Sequence, residues 1–126
     1  MKAPASITLF GIPNCDTVKK ARTWLEQQAI PFDFHNFKKE GLSAEQVELW
    51  LKKIDFDTLI NRKGTSWRAL SEEQKNQAAS KAGALALVLE NPSLIKRPVL
   101  QIGDNTLDYV GVGFSDQLYS SIFQEK

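Results

Sequence analysis

Between Phe10 and Val18 the apolar pattern changes its period, and that change limits the folds open to this chain. Ser6 to Phe10 (SITLF) is β-branched and aromatic, the composition of a buried strand. Gly11-Ile12-Pro13-Asn14 follows as a turn cluster. From Cys15 onward Val18, Ala21, Leu25 and Ala29 recur at helical spacing, with Lys19, Lys20 and Glu26 off that face. A strand that runs straight into an amphipathic helix opens an α/β arrangement. Asn14 is a good N-cap, which puts Cys15 in the first helical position and Asp16 where a carboxylate suits the helix dipole. Pro31 ends the helix.

Phe32, Phe34 and Asn36 then alternate with Asp33, His35 and Phe37, a second strand. Two strands with a helix between them make a βαβ-like unit, so a parallel pair is expected. Ser43 caps a further helix, with Gln46 in the capping-box position and Val47, Trp50, Leu51 and Ile54 as its apolar stripe. Phe56 to Ile60 reads as a short helix ending near Asn61-Arg62-Lys63-Gly64. Ser71 caps another, and Ala84 to Leu89 is an apolar helical segment closed by Asn91-Pro92. Pro98 to Ile102 and Thr106 to Val110 flank Gly103-Asp104-Asn105, a hairpin signal. From Ser115 a last helix carries Leu118, Ser121 and Ile122. The order is β-α-β, then helices, then β-β-α.

Composition narrows the function. At 126 residues the chain suits a single domain, residues 1–126, with a helical insertion over about 43–91. A chain of this size buries roughly two-thirds of its unfolded surface, enough for a core without disulfides or metal. Lys and Arg number 16 against 15 Asp and Glu. That balance argues against a nucleic-acid or membrane-surface binder. One cysteine and one histidine exclude an intrachain disulfide and a Cys/His zinc cage, so no metal site is expected. No stretch approaches the ~18 apolar residues of a membrane helix, and the run Ile7 to Phe10 is too short for a signal-peptide core. A cytoplasmic location is expected, where a lone thiol stays reduced.

Cys15 stands at the junction of strand, turn and helix. It has two readings. A buried cysteine is ordinarily a small hydrophobe. At a helix start, however, unpaired amides and the dipole favour a thiolate, and ligands of open α/β sheets bind at that edge. Thioredoxin-like redox sites place Cys-x-x-Cys there. Here the run is Cys15-Asp16-Thr17-Val18, so an outside thiol must resolve any disulfide formed. Lys19 and Lys20 are near enough in sequence to help ionise Cys15, and the Thr17 hydroxyl is a candidate donor to the sulfur. His35 reads as structural or exposed. Trp24, Trp50 and Trp67 read as core or partner surface.

The stretch Phe10 to Ala21 (FGIPNCDTVKKA) resembles the active-site turn of the ArsC-type arsenate reductases and their Spx relatives, most nearly the YffB branch. Three further blocks are similar: His35 to Gly41, Leu59 to Thr65, and Ile95 to Leu100. Gly113-Phe114 also fits. The resemblance implies a thioredoxin-like α/β fold. A small mixed β-sheet would be flanked by helices, with a helical insertion between βαβ and ββα halves and a cis peptide bond before Pro98. It also implies a nucleophilic cysteine, here Cys15, beside anion-holding arginines, here Arg62 and Arg97. Asn14, Thr17 and Pro98 would support the site. The family's third arginine falls near Val110-Gly111-Val112, where this chain has none.

The implied activity is that of an oxidoreductase, a glutathione-dependent thiol reductase or arsenate reductase-like enzyme working by a monothiol mechanism. No cofactor would be bound. Glutathione or another small thiol would be co-substrate, with an oxidised protein or oxyanion as substrate. The alternative is a non-catalytic Spx-like regulator or adaptor that binds RNA polymerase or another protein.

Overall fold

The computed structural model describes residues 6–103 and 107–123. Its elements are β1 (Ile7–Gly11), α1 (Asp16–Gln27), β2 (Asp33–Asn36), α2 (Phe37–Glu40), α3 (Ala44–Lys53), α4 (Phe56–Leu59), α5 (Thr65–Arg68), α6 (Glu72–Gln77), α7 (Lys81–Glu90), a 3-10 turn (Pro92–Leu94), β3 (Val99–Gly103), β4 (Leu107–Val112) and α8 (Asp116–Phe123). They fall into two compact units. One takes the chain up to Asn36 and again from Arg97; the other runs from Phe37 to Lys96.

The first unit is built on a four-stranded sheet in the order β2-β1-β3-β4. β1 pairs parallel with β2, Thr8 opposite Asp33 and Gly11 opposite Asn36. β3 runs antiparallel to β1, Phe10 opposite Val99, and β4 runs antiparallel to β3. The expected fold is therefore observed: a mixed sheet flanked by helices, with a helical insertion, in the thioredoxin-like arrangement.

Leu9, Leu100 and Gly111 are register partners and share one sheet face. On that face Leu9 and Leu100 form a buried cluster with Ala21 and Leu25 of α1 and Tyr119 of α8. Each such leucine contributes about 1.5–3 kcal/mol by burial. Tyr119 meets Trp24 edge-on at 5.6 Å and Phe114 at 4.7 Å between ring centroids. Ser115 starts α8, its Oγ accepting from the Leu118 N–H at 3.0 Å.

Two local expectations change. The second strand stops at Asn36, and Phe37, fully packed, begins the helical turn α2 instead. Its pairing ends with Gly11, so the ladder has no partner for Phe37. Helix α1 ends at Gln27, before Pro31. Ala29 adopts a left-handed conformation (φ 57°), the Ile30 N–H donates to the Leu25 carbonyl and the Ala29 N–H to Glu26. This is a Schellman motif with alanine where glycine is usual. Ala29→Gly should therefore stabilise the protein by about 1 kcal/mol, read as a raised denaturant midpoint at unchanged slope.

In the second unit, Ser43 caps α3 through its Oγ and the Gln46 N–H at 3.1 Å. Val47 and Trp50 turn inward. Ser71 and Gln74 close a reciprocal capping box on α6. Ile60 bridges to Ile95, the Asn61 N–H donates to the Leu94 carbonyl and the Lys96 N–H to Leu59. The turn α5, which buries Trp67, is not evident from the sequence pattern because it is only four residues long. Of the expected hairpin signal Gly103-Asp104-Asn105, Asp104 and Asn105 lie outside the described residues, as does Thr106, the expected start of the next strand.

Candidate functional site

The path from β1 into α1 is a tight turn. The Cys15 N–H donates to the Ile12 carbonyl at 3.2 Å, closing a four-residue turn with Pro13 second, where its restricted φ fits. That turn uses the amide of Cys15, so the residue is only half inside the helix. Its backbone is extended (φ −91°, ψ 125°), and its carbonyl accepts from the Lys19 N–H at 3.0 Å. Cys15 is itself the N-cap. The expectation that Asn14 caps the helix and Cys15 is its first residue is thus corrected by one position; Asn14 is an exposed turn residue.

The shift improves the setting for an anion, because an N-cap side chain faces the second and third amides of its helix. For Cys15 these belong to Thr17 and Val18. The sulfur does not close a regular cap hydrogen bond, but both N–H groups act on it. Partial burial pushes the thiol pKa up. The Val18 amide, the Arg97 side chain as a donor, the Thr17 amide and the Arg97 charge outweigh it and hold the thiol below its ordinary range. Thr17 contributes through its backbone amide. The cation acting on Cys15 is Arg97; Lys19 and Lys20 are exposed on α1.

Arg97 reaches the sulfur because β3 pairs with β1. Phe10 lies opposite Val99, so the residues just before Val99 arrive beside the turn that follows Phe10. The Arg97–Pro98 peptide bond is cis. The Pro98 carbonyl accepts from the Gly113 N–H at 2.9 Å, tying the start of β3 to the end of β4. Arg97→Ala should raise the thiol pKa, since it removes a charge-assisted hydrogen bond to the sulfur. Alkylation rate against pH checks this.

Arg62 is placed in the second unit. Its Nη2 and Nε both donate to Asp57 Oδ1, at 2.6 and 3.1 Å, and its guanidinium lies 4.5 Å over the ring of Trp67. Asp57 and Trp67 orient this arginine, and neither role was evident from sequence. His35, on β2, meets Phe10 at 4.8 Å between ring centroids, the rings tilted by 40°. Among the described residues no three His, Cys, Asp or Glu side chains form a metal-ligating group.

The close packing of Gly11 and Val18 is what the sequence does not show. Gly11 has no room for a side chain: a Cβ there would come within 2.7 Å of Val18 Cγ2. Val18 is fully buried, so the position that holds the second cysteine of a Cys-x-x-Cys site here packs the helix onto the strand. Where the third arginine is absent, a Cβ at Gly111 would overlap the Tyr109 hydroxyl. The phenol of Tyr109 covers that surface of β4.

A model of the ArsC family matches residues 10–122. This chain belongs to the ArsC family. The solved YffB protein is 40% identical, covering 92% of this chain and 97% of its own, with a TM-score of 0.83. An arsenate reductase (ArsC) related protein from Brucella melitensis is 42% identical, covering 99% and 100%, with a TM-score of 0.72. An uncharacterized Haemophilus influenzae protein is 38% identical, covering 93% of this chain and 98% of its own. Within the ArsC-family fold the chain carries a single cysteine, and among its described residues no helix is long and apolar enough to cross a membrane.

Proposed function

We propose that this ArsC-family chain is a thiol reductase that works through Cys15 alone, with glutathione or another small thiol as its co-substrate. The observation that carries it is the thiol held below its ordinary pKa at a helix N-cap, with Val18 in place of a resolving cysteine. The Cys15 thiolate attacks one sulfur of an oxidised substrate. The substrate's disulfide breaks, its other sulfur leaves with the electron pair and takes a proton from water, and Cys15 is left in a mixed disulfide. A glutathione thiolate then attacks that disulfide, releasing Cys15 and carrying away the oxidised sulfur. Thiolate character favours each attack and each departure.

Arg97 lowers the thiol pKa and is placed to hold a carboxylate of the thiol peptide. Arg62 is its second anion ligand by family resemblance. Asn14 shapes the turn, Thr17 lends its amide, and Pro98 fixes the backbone that carries Arg97. Arsenate is the poorer substrate, because a planar guanidinium fork is missing where Gly111 stands. The protein is proposed to act in the cytoplasm as one domain, without nucleic acid, membrane or metal.

Two measurements test this. Thiolate absorbance in the ultraviolet is titrated against pH, and turnover is followed with a small glutathione mixed disulfide and with arsenate. The expected result is a thiol pKa below the free value of ~8.5 and glutathione-dependent reduction of the mixed disulfide in preference to arsenate. A thiol titrating at or above that value, with no turnover, would leave the Spx-like adaptor role as the better account.

A further inference from the structure

Helix α7 (Lys81–Glu90) carries no polar side chain between its two ends. A helix apolar on every side is ordinarily buried on every side. Ala84, Leu87 and Val88 are buried. The helical turn puts Ala82, Leu85, Ala86 and Leu89 on the opposite side, at the i, i+3, i+4, i+7 spacing of a packing face. Ala82 is exposed and the other three are only half-buried. Beside this outer stripe a groove of about 450 Å³ separates α7 from α3. Lys81, Ala82 and Leu85 line one wall, and Glu48, Leu51 and Lys52 the other. All of these residues belong to the second unit.

Size and charge along the stripe select what covers it. Its order is small, large, small, large, and that order inverts about the midpoint between Leu85 and Ala86. A second copy of α7, laid antiparallel across a two-fold axis at that midpoint, sets Leu85 level with Ala86 of the second copy. Leu89 is then level with Ala82 of the second copy. Every leucine meets an alanine, so the two faces interdigitate. The ends agree with the middle. Lys81 and Glu90 stand equally far from the midpoint, so each end of the seam carries one lysine and one glutamate. A parallel copy would set leucine on leucine, lysine on lysine and glutamate on glutamate. The rim is balanced as well: Glu48 and Lys52 on α3 offset each other, as do Lys81 and Glu90 on α7. A strongly acidic or basic partner would meet its own sign on both helices, whereas a second copy brings the same balance.

We infer that the outer face of α7 is the contact of a two-fold homodimer, in which α7 lies antiparallel to its own copy and α3 flanks the seam. The inference stands apart from the thiol chemistry, whose sulfur lies in the first unit. A two-fold contact uses the same patch on both chains, so one stripe that complements itself is enough. Covering Ala82, Leu85, Ala86 and Leu89 removes the apolar surface that α7 leaves open to water. The helix is only about 15 Å long, so the contact is smaller than a standard interface and the dimer exchanges with monomer.

Sedimentation equilibrium of the full chain tests this over a concentration series reaching about 1 mM. The expected result is a mass that climbs from monomer toward dimer, with a Kd on the order of 100 µM. Leu85→Glu should raise that Kd at least about tenfold, because the axis brings both new carboxylates to the middle of the seam. Crosslinking reads the arrangement without a disruptive change. In a Cys15→Ser background, Ala86→Cys places the two sulfurs beside the axis, and mild oxidation should join the chains. Ala82→Cys places them about 10 Å apart along the seam, and should give at least about tenfold less crosslinked dimer. Random collision would favour Ala82→Cys instead, since Ala82 is the more exposed position. A chain that stays monomeric at about 1 mM overturns the inference. So does a dimer that tolerates Leu85→Glu, or crosslinking at position 82 that equals or exceeds that at 86.

Discussion

Cys15→Ser should reduce glutathione-dependent disulfide exchange by at least about 10³-fold, to the uncatalysed background. A serine hydroxyl keeps the size of the side chain and can still meet the amides of Thr17 and Val18. It does not ionise near neutrality and does not exchange with disulfides, so folding and chemistry separate cleanly. The substitution also has a thermodynamic signature. The thiol pKa is lower in the folded chain than in the unfolded one. Its contribution to stability is therefore fully present above the unfolded pKa and is lost as pH falls through the folded value. Across that window the stability difference between the parent and Cys15→Ser should grow with rising pH, and below it the difference should be flat. Denaturant unfolding at several pH values measures this. A flat difference throughout would mean that the thiol is not ionised by its surroundings.

Gly11→Ala is expected to have the largest effect on stability, a loss of about 1–3 kcal/mol from overpacking. The added Cβ would meet Val18 Cγ2 at 2.7 Å and Cγ1 at 3.1 Å. Val18 cannot swing aside, because it is β-branched with one favoured rotamer in a helix and is fully buried. The start of α1 must then move away from β1, taking the Val18 amide with it. Since that amide is the largest influence lowering the thiol pKa, Gly11→Ala should raise the pKa as well as lower the unfolding midpoint. Adding Val18→Ala makes room for the new methyl. The double variant should lose less stability than the sum of the singles, with a coupling of about 1 kcal/mol. Strict additivity would show that the close approach of glycine and valine does not hold the turn.

Much of this site is legible in the sequence because its elements are local. The change of period at Gly11-Ile12-Pro13-Asn14 announces strand, turn and helix. The missing second cysteine at Val18 needs no structure to see. The cap is harder to place: Asn14 is the better capping residue by type, and only the turn bond from the Cys15 amide to Ile12 moves the helix start by one. Arg62 could be matched to a family pattern, but its partners Asp57 and Trp67 follow no pattern of period or spacing. A groove between α1 and the residues around the start of α8 is hidden for a similar reason. Lys19, Lys20 and Trp24 read as a solvated face and a core edge until α8 sets Phe114 and Asp116 opposite them.

By itself, then, the sequence determined that one sulfur sits at a strand-to-helix junction with no intramolecular partner, since hydrophobic period and residue type are properties of neighbouring positions. Tertiary structure alone decided what surrounds that sulfur. The antiparallel register of β3 on β1 brings Arg97 to it, and the packing of Val18 on Gly11 aims the helix amides. Strand register and side-chain packing are settled by burial among residues far apart in the chain, and that long-range fit has no local signature to read.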